Sequence, residues 1–181
     1  INTLGSGGQA VKVNTGGTGL EFGSAGGLVL LNTTDVTSAT ATVTFDSSLI
    51  TDTYSKYILE YEGLKPVTDN VAFRSRYSTN NGSSFITGTF NYGYQYTALG
   101  AASTGGSGNT KSNYAVNDYA AGNNANHQYA GTFHINGMRD SGSYLTIRHE
   151  WIQENATDNT YVSQEGLSLI HISEPTRQIV I

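Results

Sequence analysis

The chain has 181 residues, 13% of them charged, with 22 Gly, 12 Tyr, 2 Pro, no Cys and a formal net charge of -5. Thr, Ser, Asn, Gly and Tyr outweigh the good helix formers, which favours strands joined by turns over a helical enzyme. The missing cysteines exclude a disulfide framework and a thiolate metal site, and the acidic balance leaves no basic face for nucleic acid.

Val11 and Val13 alternate with Lys12, and Leu20 and Phe22 with Glu21, around the glycine-rich "NTGGTG". This pattern predicts a hairpin-like unit with Lys12 and Glu21 on one outer face. A two-stranded unit is marginal alone in water, so it needs identical copies to stack against it. Residues 23–27, "GSAGG", read as a flexible joint.

Beyond the joint, strands are predicted at 28–32, 41–46, 56–63, 71–78, 84–97, 113–119, 128–136 and 143–153, with no sustained helical period. Their spacing predicts an all-β fold, an antiparallel β-sandwich of jelly-roll-like type behind an extended N-terminal segment. Folding about Val67 sets Glu60 opposite Arg74 on a wet face, with Leu59 and Phe73 on the dry one. Folding at 138–142 sets Phe133 opposite Ile147, Tyr129 opposite Trp151 and His149 opposite Gly131, with His149 pointing inward beside Trp151. Segment 100–113 reads as an exposed flexible loop. No apolar run approaches the roughly 20 residues that cross a bilayer, so membrane insertion is not expected.

The run "LSLIHISEPTR", 167–177, resembles the in-frame translation of a transposase-type sequencing adapter. The expected divisions are an N-terminal segment with its joint at 1–26, a β-sandwich domain at 27–166, and an adapter-derived tail at 167–181. A gene read from environmental DNA and a natural chain continuing past Gly166 follow from that resemblance. The tail is expected to dangle, or to pair at a sheet edge through main-chain bonds.

Nucleophile-elbow, zinc-protease, phosphate-loop and dinucleotide motifs are missing from the sequence. His127, His134 and His149 lack metal-ligand spacing, and Glu60 with Glu62 reads as a solvated charge ladder. No catalytic residue, metal or cofactor is expected. One stretch points to a ligand: "FNYGYQY" puts Phe90, Tyr92, Tyr94 and Tyr96 on a single strand face. Aromatic faces stack on sugar rings, so Tyr92, Tyr94 and Tyr96, with Trp151, are the candidate ligand-binding residues. The competing reading of the stripe, a core face or a subunit interface, carries more weight. The Asn-, Ser- and Tyr-rich loops near 100–126 are a second candidate surface.

Two stretches carry a family resemblance. Gly8 to Gly23, with "V-x-V-N-x-G-G-T-G-L-E-F", resembles the shaft-to-head segments of bacteriophage tail fibres. Tyr54 to Phe85, with Gly63, Pro66, Thr68, Asp69 and the "STNNG" turn at 78–82, looks like a module at the head end of such fibres. The resemblance implies a non-enzymatic virion structural protein, extracellular and homotrimeric, whose head binds a host surface glycan or protein. The alternative is a carbohydrate-binding or adhesin module of a bacterial surface protein.

Overall fold

The computed structural model describes residues 9–24, 26–71, 73–86, 90–98, 104–111, 114–115, 122–124, 127–138, 144–154, 161–171 and 178–180. The chain divides into two compact units, Ile1–Asp35 and Val36–Ile181.

In the first unit, β1 (Gln9–Val13) and β2 (Leu20–Ser24) form an antiparallel hairpin, with Val11 opposite Phe22, Lys12 opposite Glu21 and Val13 opposite Leu20. Asn14 organises the turn. Its main-chain N–H donates to the Gly19 carbonyl at 2.9 Å, and its Oδ1 accepts from the Thr18 N–H at 2.9 Å. Gly17, at φ 68°, supplies the left-handed residue that this turn requires. The predicted outer-face pair is present, with Lys12 Nζ 3.3 Å from Glu21 Oε1. Both partners are about half exposed, so the pair sets register more than stability. Val11, Val13 and Leu20 are 49%, 62% and 66% exposed, which leaves the apolar row of the hairpin uncovered.

The second unit is built from strands alone among the described residues. They are β3 (Thr44–Phe45), β4 (Lys56–Leu64), β5 (Arg74–Ser78), β6 (Phe90–Ala98), β7 (Thr104–Lys111) and β8 (Tyr114–Ala115). After them come β9 (Tyr129–Asn136), β10 (Tyr144–Glu154), β11 (Tyr161–His171) and β12 (Gln178–Val180). A six-stranded sheet runs β4-β9-β10-β11-β6-β7, and a four-stranded one β3-β12-β5-β8. Every pairing is antiparallel.

Period-two alternation places the core. Tyr57 on β4, Phe133 and Ile135 on β9, and Leu145 and Ile147 on β10 project from one face of the larger sheet. The same apolar cluster takes Tyr77 from β5 and Phe45 from β3 in the smaller sheet, with Ile50 and Met138. Tyr77 is fully buried, and its hydroxyl lies 3.1 Å from Ser75 Oγ. The "STNNG" turn closes β5. Ser78 Oγ accepts from the N–H of Gly82 at 2.8 Å, and Asn80 Oδ1 accepts from the N–H of Ser84 at 2.8 Å.

Several expectations need correction. Residues 28–32 form no strand, and Leu28 and Leu30 are each 82% exposed. A run that is apolar on both sides needs covering on both sides, and the main chain of this run finds no strand partner among the described residues. Within the predicted loop at 100–113, residues 104–111 are strand β7, paired with β6. Its glycines conceal the strand, because Gly has no side-chain preference for a pleat and main-chain bonding supplies the order. Strands β4 and β5 lie in different sheets, so Glu60 faces Thr132 and Arg74 faces Ala115. Alternation tells which face a residue occupies and is silent about which strand sits alongside.

Strands β9 and β10 do pair, two residues away from the predicted register. Phe133 faces His149, Ile135 faces Ile147, Gly131 faces Trp151 and Tyr129 faces Gln153. An even slip preserves the faces, so the predicted inward set stands. The adapter-like tail also departs from expectation. Leu167 to His171 belong to β11, between β10 and β6, and β12 lies between β3 and β5. Both strands occupy interior positions of their sheets, where two sets of main-chain partners replace the single set of an edge.

Phe133 is fully buried. Phe133→Ala is expected to destabilise the protein by about 3–5 kcal/mol, read from the urea midpoint, because the cavity would open inside the buried apolar cluster.

Candidate functional site

The larger sheet carries an aromatic row on its core side. His149 of β10 lies flat between Phe133 and Trp151, at centroid distances of 4.0 Å and 4.3 Å and interplanar angles of 15° and 12°. Tyr61 of β4 reaches the same imidazole, with its hydroxyl 2.8 Å from Nε2. If the imidazole proton is on Nδ1 the phenol donates, and if it is on Nε2 the ring donates. Phe73 extends the row, 5.3 Å from Tyr61 and 5.9 Å from Tyr129.

Gly131 makes this contact possible. It faces Tyr61 on β4 and Trp151 on β10. A Cβ there would lie 2.5 Å from the Glu150 carbonyl oxygen, 2.6 Å from Tyr61 Oη and 2.8 Å from Trp151 Cβ. Only a residue without a side chain lets Tyr61 cross β9 to His149. Burial among these rings holds the imidazole down to about 3 from its ordinary 6.5. It is a neutral, stacked, hydrogen-bonded group at neutral pH, suited to rigidity rather than to proton transfer.

Register places the predicted ligand residues. One cross-strand row runs Tyr61, Gly131, Trp151, Gln164, Tyr96 and Thr104. The next runs Leu59, Phe133, His149, Gly166, Tyr94 and Gly106. A third runs Ile135, Ile147, Ser168, Tyr92 and Gly108. Directly opposed residues share a face, so Tyr92, Tyr94 and Tyr96 occupy the face that carries Phe133, His149 and Trp151. The side chains of these three tyrosines lie outside the described residues. Trp151 itself is 4% exposed, and its ring stacks on protein rather than facing solvent as a platform. All four candidates thus share one face of one sheet, and on β9 and β10 that face is core.

The opposite face carries the charge. Its central row is Glu60, Thr132, Glu150, Glu165 and Gln95. Arg148 forms an ion pair with Glu150. The opposition of Glu150 and Glu165 is not readable from sequence, because it depends on the β10–β11 register. Among the described residues no group of three metal-ligating side chains occurs. His127 is 2% exposed and precedes β9, whereas His134 lies on β9 in the outer-face row with Arg148. Of the second candidate surface, 104–111 and 114–115 belong to strands β7 and β8, and the described residues at 122–124 are tied down. Asn123 donates from its N–H to Asp69 Oδ1 and from Nδ2 to the Val67 carbonyl, each at 3.1 Å.

No family model, no curated protein and no solved structure matches this chain.

Two outcomes are expected. Gly131→Ala should lower stability by about 1–3 kcal/mol in urea unfolding, since main chain and two aromatic side chains must all give way. His149 stabilises the fold in its neutral form. Its contribution is complete above the unfolded value near 6.5 and is lost as pH falls from there toward 3. Wild type should therefore lose about 1.4 kcal/mol per pH unit from this group below pH 6.5, and His149→Phe should lack that slope.

Proposed function

We propose that this chain is a non-enzymatic virion structural protein of the bacteriophage tail-fibre kind. Its N-terminal hairpin is a shaft-type unit, and its larger unit is a β-sandwich head that contacts a host surface glycan or protein outside the cell. The observation that carries this reading is the hairpin. It forms its own unit, keeps the Lys12–Glu21 register, and holds Val11, Val13 and Leu20 open. A two-stranded ribbon with one bare apolar row is stable when other chains cover that row. The resemblance of Gly8–Gly23 and Tyr54–Phe85 to tail-fibre segments supplies the rest. A homotrimer is the assembly implied.

A second reading, a carbohydrate-binding or adhesin module, draws on the tyrosine stripe. The register of that stripe with the core rows of β9 and β10 favours packing, so the fibre reading is preferred. Light scattering on the full chain should give three times the mass of one chain. Val13→Ser with Leu20→Ser should lower that mass while leaving the strand signal of the larger unit intact. A monomer at all concentrations that binds glycans would move the assignment to the adhesin.

A further inference from the structure

Residues 26–42 are exposed without interruption. Within them Leu28, Val29, Leu30, Leu31 and Val36 are 82%, 53%, 82%, 39% and 45% exposed. Scattered exposed apolar residues need no explanation, but four in succession do. From 28 to 43 no strand forms, and the hydrogen bonds seen there are local, Asn32 Nδ2 to Thr34 Oγ1 at 2.9 Å and Thr40 Oγ1 to the Thr42 carbonyl at 3.1 Å. The main chain and the apolar side chains of this segment are uncovered together.

Its composition is that of a strand. "LVLLNTTDVTSATATV" is rich in Val and Thr, has no Gly or Pro, and carries one charge, Asp35. Linkers that work as open tethers are built from Gly and Ser, like the "GSAGG" just before it. A β-prone, nearly neutral segment left bare is an adhesive edge unless something pairs with it.

We infer that residues 28–43 form an arm that pairs, strand-like, with a second copy of this chain. Charge selects the occupant. Lys12, Glu21 and Asp35 are the only charged residues before Thr44, a net of -1 out of the chain's -5. Identical N-terminal segments therefore meet with little mutual repulsion, whereas a basic partner finds only Asp35 on the arm to recognise. The arm also follows the hairpin whose apolar row is open, across the short "GSAGG" joint, so one uncovered stretch follows the other along the sequence. Pairing between copies would satisfy the main-chain groups and bury the leucines in a single step. The inference rests on the multi-chain reading above and goes further in naming the segment that joins the copies.

Hydrogen–deuterium exchange on the full chain tests it, with mass measured by light scattering on the same samples. The expected result is a mass above one chain with amides of 28–43 slowed about a hundredfold or more, the protection fading as dilution returns the mass to one chain. A multi-chain mass with unprotected 28–43 overturns the arm and leaves the fibre reading standing. A single-chain mass overturns both. Protection at that mass would mean that the arm is covered by its own chain. Leu28→Ser with Leu30→Ser provides an independent check. It should weaken association at least about tenfold, with the strand signal of the larger unit unchanged, and unaltered association would refute the arm.

Discussion

The imidazole of His149 has no contact with water, and the larger unit is arranged around keeping it so. Phe133 and Trp151 close its two faces, and Tyr61 reaches its edge across a glycine. Such a stack requires three neighbouring strands in one register, since Tyr61, Gly131 and Trp151 must line up across β4, β9 and β10. A slip of one residue would turn the rings to solvent and bring Thr132, Glu150 and Arg148 into the core. The aromatic row is thus both a product of the register and the strongest local reason for it.

From this row the rest of the unit follows. The same alternation carries Ile135, Leu145 and Ile147 to the core side, where Tyr77 and Phe45 of the smaller sheet meet them. It sends Glu60, Arg148 and Glu150 to the other side. The tyrosine stripe of β6 is in register with the core rows through β11, because Gly166 and Gln164 face His149 and Trp151 on one flank and Tyr94 and Tyr96 on the other. The register beside it supports the packing reading that the stripe already carried in the sequence.

The N-terminal unit obeys the opposite economy. Its hairpin has good turn chemistry at Asn14 and a matched ion pair, yet nothing among the described residues covers its valines. The arm that follows has strand composition without a strand partner. Good local chemistry and apolar side chains left uncovered among the described residues, side by side in one segment, are the features on which the multi-chain proposal rests.

Much of the fold was legible in the residues. Period-two alternation identified β4, β9 and β10 closely, and the inward placement of His149, Phe133 and Ile147 followed from it. The Lys12–Glu21 pairing followed from a glycine turn of fixed length. Other features were not legible, for three physical reasons. β7 is glycine-rich, so its order comes from the main chain of β6 and leaves no side-chain pattern. The separation of β4 from β5 into two sheets depends on where residues 65–70 carry the chain. The Tyr61–His149 contact joins residues 88 apart in sequence, and Gly131 reveals its purpose only when both neighbours are in place. The sequence by itself determined the strand class, the buried face of each well-patterned strand and the turn of the hairpin, because these depend on neighbours a few residues away. Only the tertiary structure decided which distant strands lie side by side, and hence that the backbone of the tyrosine stripe is set in register with the core rows of β9 and β10. Strand neighbours are chosen by the summed packing of distant segments, and no short window of residues contains that sum.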